Sequence, residues 1–193
     1  ALSAAAGRIV SIDEAGLVTL FDSKLTMKER SWKGGAPGSL RCVALSADAK
    51  RVVVGEGDAT IRSWEAKSGE ARPEVVKGTG AVAGLACAPG GATLAVLWAD
   101  GTVSLRDGTT LEEKRTLARD GGAGALSALP TLAWRPDGKR LAVGGAAAWL
   151  TIWEPESGRL VTRLPGCVGP AAWMADGKRV VTGLPVRVWS VRE

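Results

Sequence analysis

Ala133-Trp-Arg-Pro-Asp-Gly-Lys-Arg-Leu-Ala142 returns 39 residues later as Ala172-Trp-Met-Ala-Asp-Gly-Lys-Arg-Val-Val181. Working outward from this pair, the same register runs through Ala86-Cys-Ala-Pro-Gly-Gly-Ala-Thr-Leu-Ala95. It continues back through Ala44-Leu-Ser-Ala-Asp-Ala-Lys-Arg-Val-Val53 and Ala1-Leu-Ser-Ala-Ala-Ala-Gly-Arg-Ile-Val10, which align without a gap at a shift of 43 residues. Five copies of one unit therefore fill the chain. Each copy goes on through two short apolar segments to a fixed closing pair: Phe21-Asp22, Trp64-Glu65, Arg106-Asp107, Trp153-Glu154 and Trp189-Ser190, at intervals of 43, 42, 47 and 36 residues. The segments are about five residues long, rich in Val, Leu, Ile and Thr, and bounded by Gly, Pro or Asp-Gly, which predicts short antiparallel strands. Asp137-Gly138 and Asp176-Gly177 predict tight hairpins between the first two strands of a copy, where glycine supplies the positive φ. With strands a to d in four copies and a to c in the last, the reading is all-β with 19 strands.

Composition narrows the chemistry. The 193 residues are 46% hydrophobic and 23% charged, an ordinary globular balance, and no apolar run of about 18 residues is present to span a membrane. Ala1 to Val10 has no basic head before an apolar block, so it does not read as a signal peptide. The sequence lacks His, Tyr, Asn and Gln but holds eight Trp. Histidine-based nucleophile arrangements and histidine-ligated metals are excluded, and no metal or cofactor is expected. Cys42, Cys87 and Cys167 are odd in number and far apart, so they are expected as small buried side chains on strands in a reducing, cytoplasmic compartment. The richness in Ala, Gly, Arg and Val suggests a GC-rich, bacterial coding sequence.

A period near 43 residues built of four short strands is the spacing of a propeller blade. The chain resembles the WD40-repeat family through Val53-Val-Gly55, Asp58 and Trp64-Glu65, through Asp100-Gly101 and Arg106-Asp107, and through Arg135-Pro-Asp-Gly-Lys-Arg140 with Trp153-Glu154-Pro-Glu-Ser-Gly158. The resemblance implies a β-propeller of about five four-stranded blades, the last incomplete, with approximate bounds 1–34, 35–78, 79–121, 122–166 and 167–193. The missing outer strand of the last copy suggests a segment of a larger propeller. The family's Gly-His pair is reduced to glycine, as at Gly34, Gly78, Gly121 and Gly166. By that resemblance, Asp58 and Asp100 brace their own turns without the histidine link to the strand-c Trp, and apolar packing is expected to hold the blades.

Candidate sites follow from the register. The b-to-c turns carry Asp13-Glu14, Glu56, Asp58 and Asp100, whereas the a-to-b turns carry Arg8, Lys50-Arg51, Lys139-Arg140 and Lys178-Arg179, which predicts faces of opposite sign. A basic ring would suit an acidic partner; the plainer reading is that polar residues fill hairpins. Asp58, Asp100, Asp137 and Asp176 are read as turn residues. Trp134 and Trp173 end strand a, in line with Leu2, Leu45 and Cys87, and Trp64, Trp153 and Trp189 end strand c, all expected between blades. Trp32, Trp98 and Trp149 fall near turns and are expected either as partly exposed binding anchors or as a lid over the core. The Gly78-Thr-Gly80-Ala-Val-Ala-Gly84 stretch lacks the following helix of a dinucleotide loop and reads as a strand-d to strand-a link. The Gly-rich Asp120 to Ala128 stretch accounts for the 47-residue interval and is expected to be a long mobile loop.

The functional expectation is a non-catalytic protein-interaction scaffold or docking module that binds a protein or peptide. A net charge of +5 without interleaved exposed aromatics argues against nucleic acid. Two alternatives stand beside it. One is a propeller enzyme using channel carboxylates such as Asp58 and Asp100, and the other is an open array closed by homo-oligomerisation.

Overall fold

The computed structural model describes residues 1–22, 24, 27–78, 80–117, 130–146 and 149–191, and its regular structure is entirely strand. The Gly-rich stretch at 120–128, Gly121 and Thr79 lie outside the described residues. The first sheet holds β1 (Leu2–Ala5), β2 (Arg8–Ile12), β3 (Leu17–Asp22) and β4 (Lys28–Lys33). The second holds β5 (Leu40–Leu45), β6 (Arg51–Glu56), β7 (Thr60–Glu65) and β8 (Ala71–Lys77), and the third β9 (Val82–Cys87), β10 (Thr93–Trp98), β11 (Val103–Asp107) and β12 (Glu113–Leu117). The fourth is β13 (Thr131–Trp134), β14 (Leu141–Ala146), β15 (Trp149–Glu154) and β16 (Arg159–Pro165), and the fifth β17 (Val168–Trp173), β18 (Arg179–Leu184) and β19 (Arg187–Ser190). Each sheet is an antiparallel meander in chain order, so the expected a, b, c, d sequence is realised five times.

The innermost strands β1, β5, β9, β13 and β17 pack each against the next, which stacks the sheets face to face as propeller blades. Among the described residues no comparable packing joins β17 to β1. Position in the blade explains strand composition. The second strand is covered on both faces, so β6 is a buried Arg-Val-Val-Val-Gly-Glu run without alternation. The fourth strand is an edge, and β8 alternates exposed and half-buried residues with Arg72, Glu74 and Lys77 along it, charges that oppose pairing with another edge.

One apolar cluster fills each junction. Val10, Val18 and Leu20 meet Val43, Leu45, Val52, Val54 and Trp64 between blades one and two. Val53 and Ile61 meet Val82, Leu94 and Trp98 at the next junction, Leu97, Leu105 and Leu117 meet Leu141 and Trp153 at the third, and Leu150 and Ile152 meet Val180 at the fourth. Each such aliphatic side chain contributes about 1.5–3 kcal/mol through burial, so the junctions carry the fold.

Two features depart from a uniform repeat. In all four complete blades the pairing of strands c and d slips where the closing residue stands, between Leu20 and Phe21, Arg62 and Trp64, Leu105 and Arg106, and Ile152 and Trp153. The outer strand bulges there, which sharpens its local twist. In the first blade, the gapless alignment places Leu2 opposite Ile9, as Leu45 stands opposite Val52, yet Leu2 pairs with Ser11 and Ala5 with Arg8. Leu2 therefore begins its strand, exposed, and does not share the place of Leu45. The later loop is held open by Ser46 Oγ, which donates to Asp48 at 2.6 Å. The Ala-Ala-Gly run of the first copy has no such brace and closes on a two-residue turn with Ala6 and Gly7 at φ 45 and 73°.

Candidate functional site

The b-to-c turns are built on aspartate caps. Asp13 accepts from Leu17 N–H at 2.9 Å, Asp58 from Thr60 N–H at 3.1 Å and Asp100 from Thr102 N–H at 2.8 Å. Asp58 also lies 3.8 Å from Lys77 Nζ. Glu56 is the last residue of β6, buried, and pairs with Arg62 at 2.8 Å, so it is not a turn carboxylate. A cavity of about 430 Å³ lies along the innermost strands, lined by residues such as Ser3, Val43, Leu45, Cys87 and Trp134, and no carboxylate lines it.

The a-to-b rim is not the simple basic ring that the residue types suggest. Three of its hairpins carry an aspartate that accepts the N–H two positions on: Asp48 from Lys50 at 3.0 Å, Asp137 from Lys139 and Asp176 from Lys178, both at 2.9 Å. Most of the cations are then matched. Lys50 stands 3.8 Å from Asp48, Arg8 3.1 Å from Glu29, Arg140 2.7 Å from Glu154 and Arg179 2.8 Å from Asp176. Lys139 and Lys178 are exposed. Arg51 leaves the ring altogether. It is only 8% exposed because its guanidinium crosses to the third blade, donating to the carbonyls of Gly108, at 2.6 Å, and Thr109.

The tryptophans divide by what their indole N–H can reach. Trp134 and Trp173 donate at 3.0 Å to the carbonyls of Ala86 and Ala133, each tying an innermost strand to the one before it. Trp153 donates to Thr151, whose hydroxyl donates on to the Val143 carbonyl, both at 3.0 Å. Trp98 is buried, 4% exposed, with its N–H on Ser104 at 3.0 Å; it closes the core and is not an exposed anchor. Trp32 is half-buried against Gly69, and Trp149, at the head of β15, is 45% exposed. Arg106 occupies the closing position held by Trp in three sister blades and by Phe21 in the first. Its guanidinium bonds Ser104, the Leu111 carbonyl and Glu113, and its carbon sits 5.9 Å from the centre of the Trp98 ring.

Cys42 is buried on β5, where loss of water pushes its thiol up to about 12; Cys87 ends β9 and is raised likewise to about 12. Cys167 is buried too, but in the link before β17 and not on a strand. A groove of about 770 Å³ lies between the second and third blades and is lined by Asp48, Lys50, Arg51, Glu65, Arg72 and the bare Pro89-Gly90-Gly91-Ala92 hairpin. Sequence reading passed over it. The one available signal was the third copy's lack of the aspartate, lysine and arginine that the second, fourth and fifth copies carry.

Five twisted meanders joined through apolar faces, with a Trp or its substitute closing strand c, define a propeller-repeat protein. The family model of the WD domain, G-beta repeat, matches residues 28–65, and the fold around that match is a β-propeller of WD40-like repeats. No curated protein matches the chain. The matched run starts with β4 and ends with β7, so the sequence unit spans the outer strand of one blade and the inner three of the next.

Proposed function

We propose that the chain is a non-catalytic interaction scaffold, a docking module whose blade-turn rims receive a protein or peptide partner in a reducing, cytoplasmic compartment. WD40 repeats generally mediate protein–protein interactions. The observation that carries the reading here is Trp149, 45% exposed at the head of a strand whose other aromatic, Trp153, is buried. An exposed indole on a rigid strand end is a low-entropy anchor for a partner. The test is affinity capture with the wild-type chain and with Trp149→Ser. Recovery of the same partner should drop at least tenfold; equal recovery from W149S and from K139E/K178E, which alter opposite rims, would remove both rims from the reading. Catalysis by channel carboxylates draws no support, since Asp58 and Asp100 sit in separate turns and each caps its own.

A second reading rests on the open face of the fifth blade. Ala172, Val181 and Val188 form a cross-strand row there, and Val188 is 58% exposed. The corresponding row of the fourth blade, Ala133, Ala142 and Ile152, is packed in the junction cluster. Such a face suits a second copy of the chain. Sedimentation showing a monomer at all concentrations would sink this reading and leave the scaffold reading untouched.

A further inference from the structure

The hairpins between strands a and b in blades two to five share one construction. The first turn residue donates to the sixth, as Ser46 N–H to the Arg51 carbonyl and Ala88 N–H to the Thr93 carbonyl, and the fourth donates back to the first. In blades two, four and five an aspartate at the third position takes the N–H of the fifth. In blade three that position is Gly90, and the fifth residue's N–H, on exposed Ala92, has no acceptor among the described residues. A Cβ at Gly90 would have no atom within 4 Å, so there is room where the aspartate side chain stands in the other hairpins.

This bare hairpin forms one wall of the groove between blades two and three, and the opposite wall brings cations. Lys50 is matched by Asp48, and Arg72 by Glu65 and Glu74. Arg51 has no carboxylate within ion-pair distance among the described residues, although it is more than nine-tenths buried. The two walls meet at Gly108, whose N–H donates to the Ala92 carbonyl at 3.1 Å and whose carbonyl accepts from Arg51 at 2.6 Å. Glu74 and Glu65 act on Arg51 only from beyond ion-pair distance, and a charge-assisted bond to an anion is the interaction that this guanidinium, bonded to carbonyls, lacks.

We propose that the groove between the second and third blades binds an anionic group, a carboxylate or a phosphate, which takes the place of the hairpin carboxylate missing from blade three. Ala92 N–H and Arg51 hold it, and Lys50 and Arg72 flank it. Asp48 and Glu65 line the same groove but are each engaged with their own cation, and Arg72 takes Glu74 as well, which leaves Arg51 as the cation whose hydrogen bonds go to carbonyls and not to a carboxylate. The site does not depend on the scaffold reading. It would serve a free anion or an acidic side chain of a peptide equally in its chemistry.

The test is an amide-resolved NMR titration of the whole chain at low ionic strength, with inorganic phosphate in one arm and a capped peptide bearing a single glutamate in the other. The Gln counterpart of the peptide serves as control. The Gly90, Gly91 and Ala92 amides should move saturably, and Gly90→Asp, which fills the site with an internal carboxylate, should weaken binding at least tenfold while leaving amides of the other blades in place. Saturation by phosphate alone assigns a free anion, and tighter binding of the glutamate peptide assigns a peptide side chain. The proposal is overturned if Ala92 does not move, if the amides near Lys139 and Lys178 move as much, or if G90D binds as the wild type does. Partner capture lost through W149S with phosphate binding retained would separate this site from the rim.

Discussion

At the scale of single residues the structure turns on which polar ends are carried inside. Arg106 stands where three sister blades have Trp, and its burial is tolerated because Ser104, Leu111 and Glu113 receive its donors while Trp98 lies against it. Arg106→Ala should therefore cost about 3 kcal/mol, since it strands those acceptors and opens a hole at once, and the urea midpoint is the measure. A midpoint within experimental error of the wild type would mean that the bonds contribute nothing. Gly78 gives a second case. A Cβ there would overlap the Trp98 ring, so Gly78→Ala should cost about 1–3 kcal/mol by forcing that indole off its place. The strand-c tryptophans were legible from register alone, because an aromatic at the end of each central strand has one apolar place to go. Arg51 and Trp98 were not. Their burial is decided by the Gly108-Thr109 turn of the next blade and by the close approach of Gly78, and neither leaves a mark in the local pattern.

At the scale of elements, strand identity and order were readable and register was not. Short Val- and Leu-rich segments between Gly and Asp-Gly can only be brief antiparallel strands, and all nineteen are present. The irregularity opposite the closing residue in every complete blade adds one outer-strand residue, or two in the second blade, with no signature in composition. The first hairpin shows the same limit: two copies align without a gap, yet one closes on two residues and the other on six. Ala6 bears the strain of this, exposed at φ 45° in a turn type that prefers Asn followed by Gly. Ala6→Asn should raise stability by about 0.5–1 kcal/mol by relieving part of the left-handed penalty of alanine. If the hairpin were instead the six-residue loop of its sister, Asn at this position would leave the urea midpoint unchanged.

At the scale of the molecule, junction packing sets the stability and the hairpin carboxylates set its pH range. Lys114, with the Thr110 and Thr109 N–H groups, holds the Asp107 carboxyl down at about 2, against an ordinary 3.8. The Ser46 hydroxyl and the Lys50 N–H lower Asp48, the Lys178 N–H and then Arg179 lower Asp176, and the Ser157 hydroxyl and then Arg140 lower Glu154. A carboxylate held below its unfolded value stabilises the fold above that value and loses this contribution as pH falls toward the folded one. Acid should therefore weaken the blades between about pH 4 and pH 2. Cys42 works at the other end. Its thiol ionises at 9.0 when free and at about 12 when buried, so the unfolded chain releases the proton first and stability falls as pH rises past 9. The urea midpoint should accordingly be level from pH 5 to 8 and lower at both pH 3 and pH 10. Cys42→Ala should reduce the alkaline limb by about half, since Cys87 is raised likewise and supplies the rest, while leaving the acid limb in place, because the carboxylates titrate far below the thiols. An alkaline limb unchanged in that variant, or a midpoint at pH 3 equal to that at pH 6, would assign the pH dependence to something other than these hairpins and this thiol.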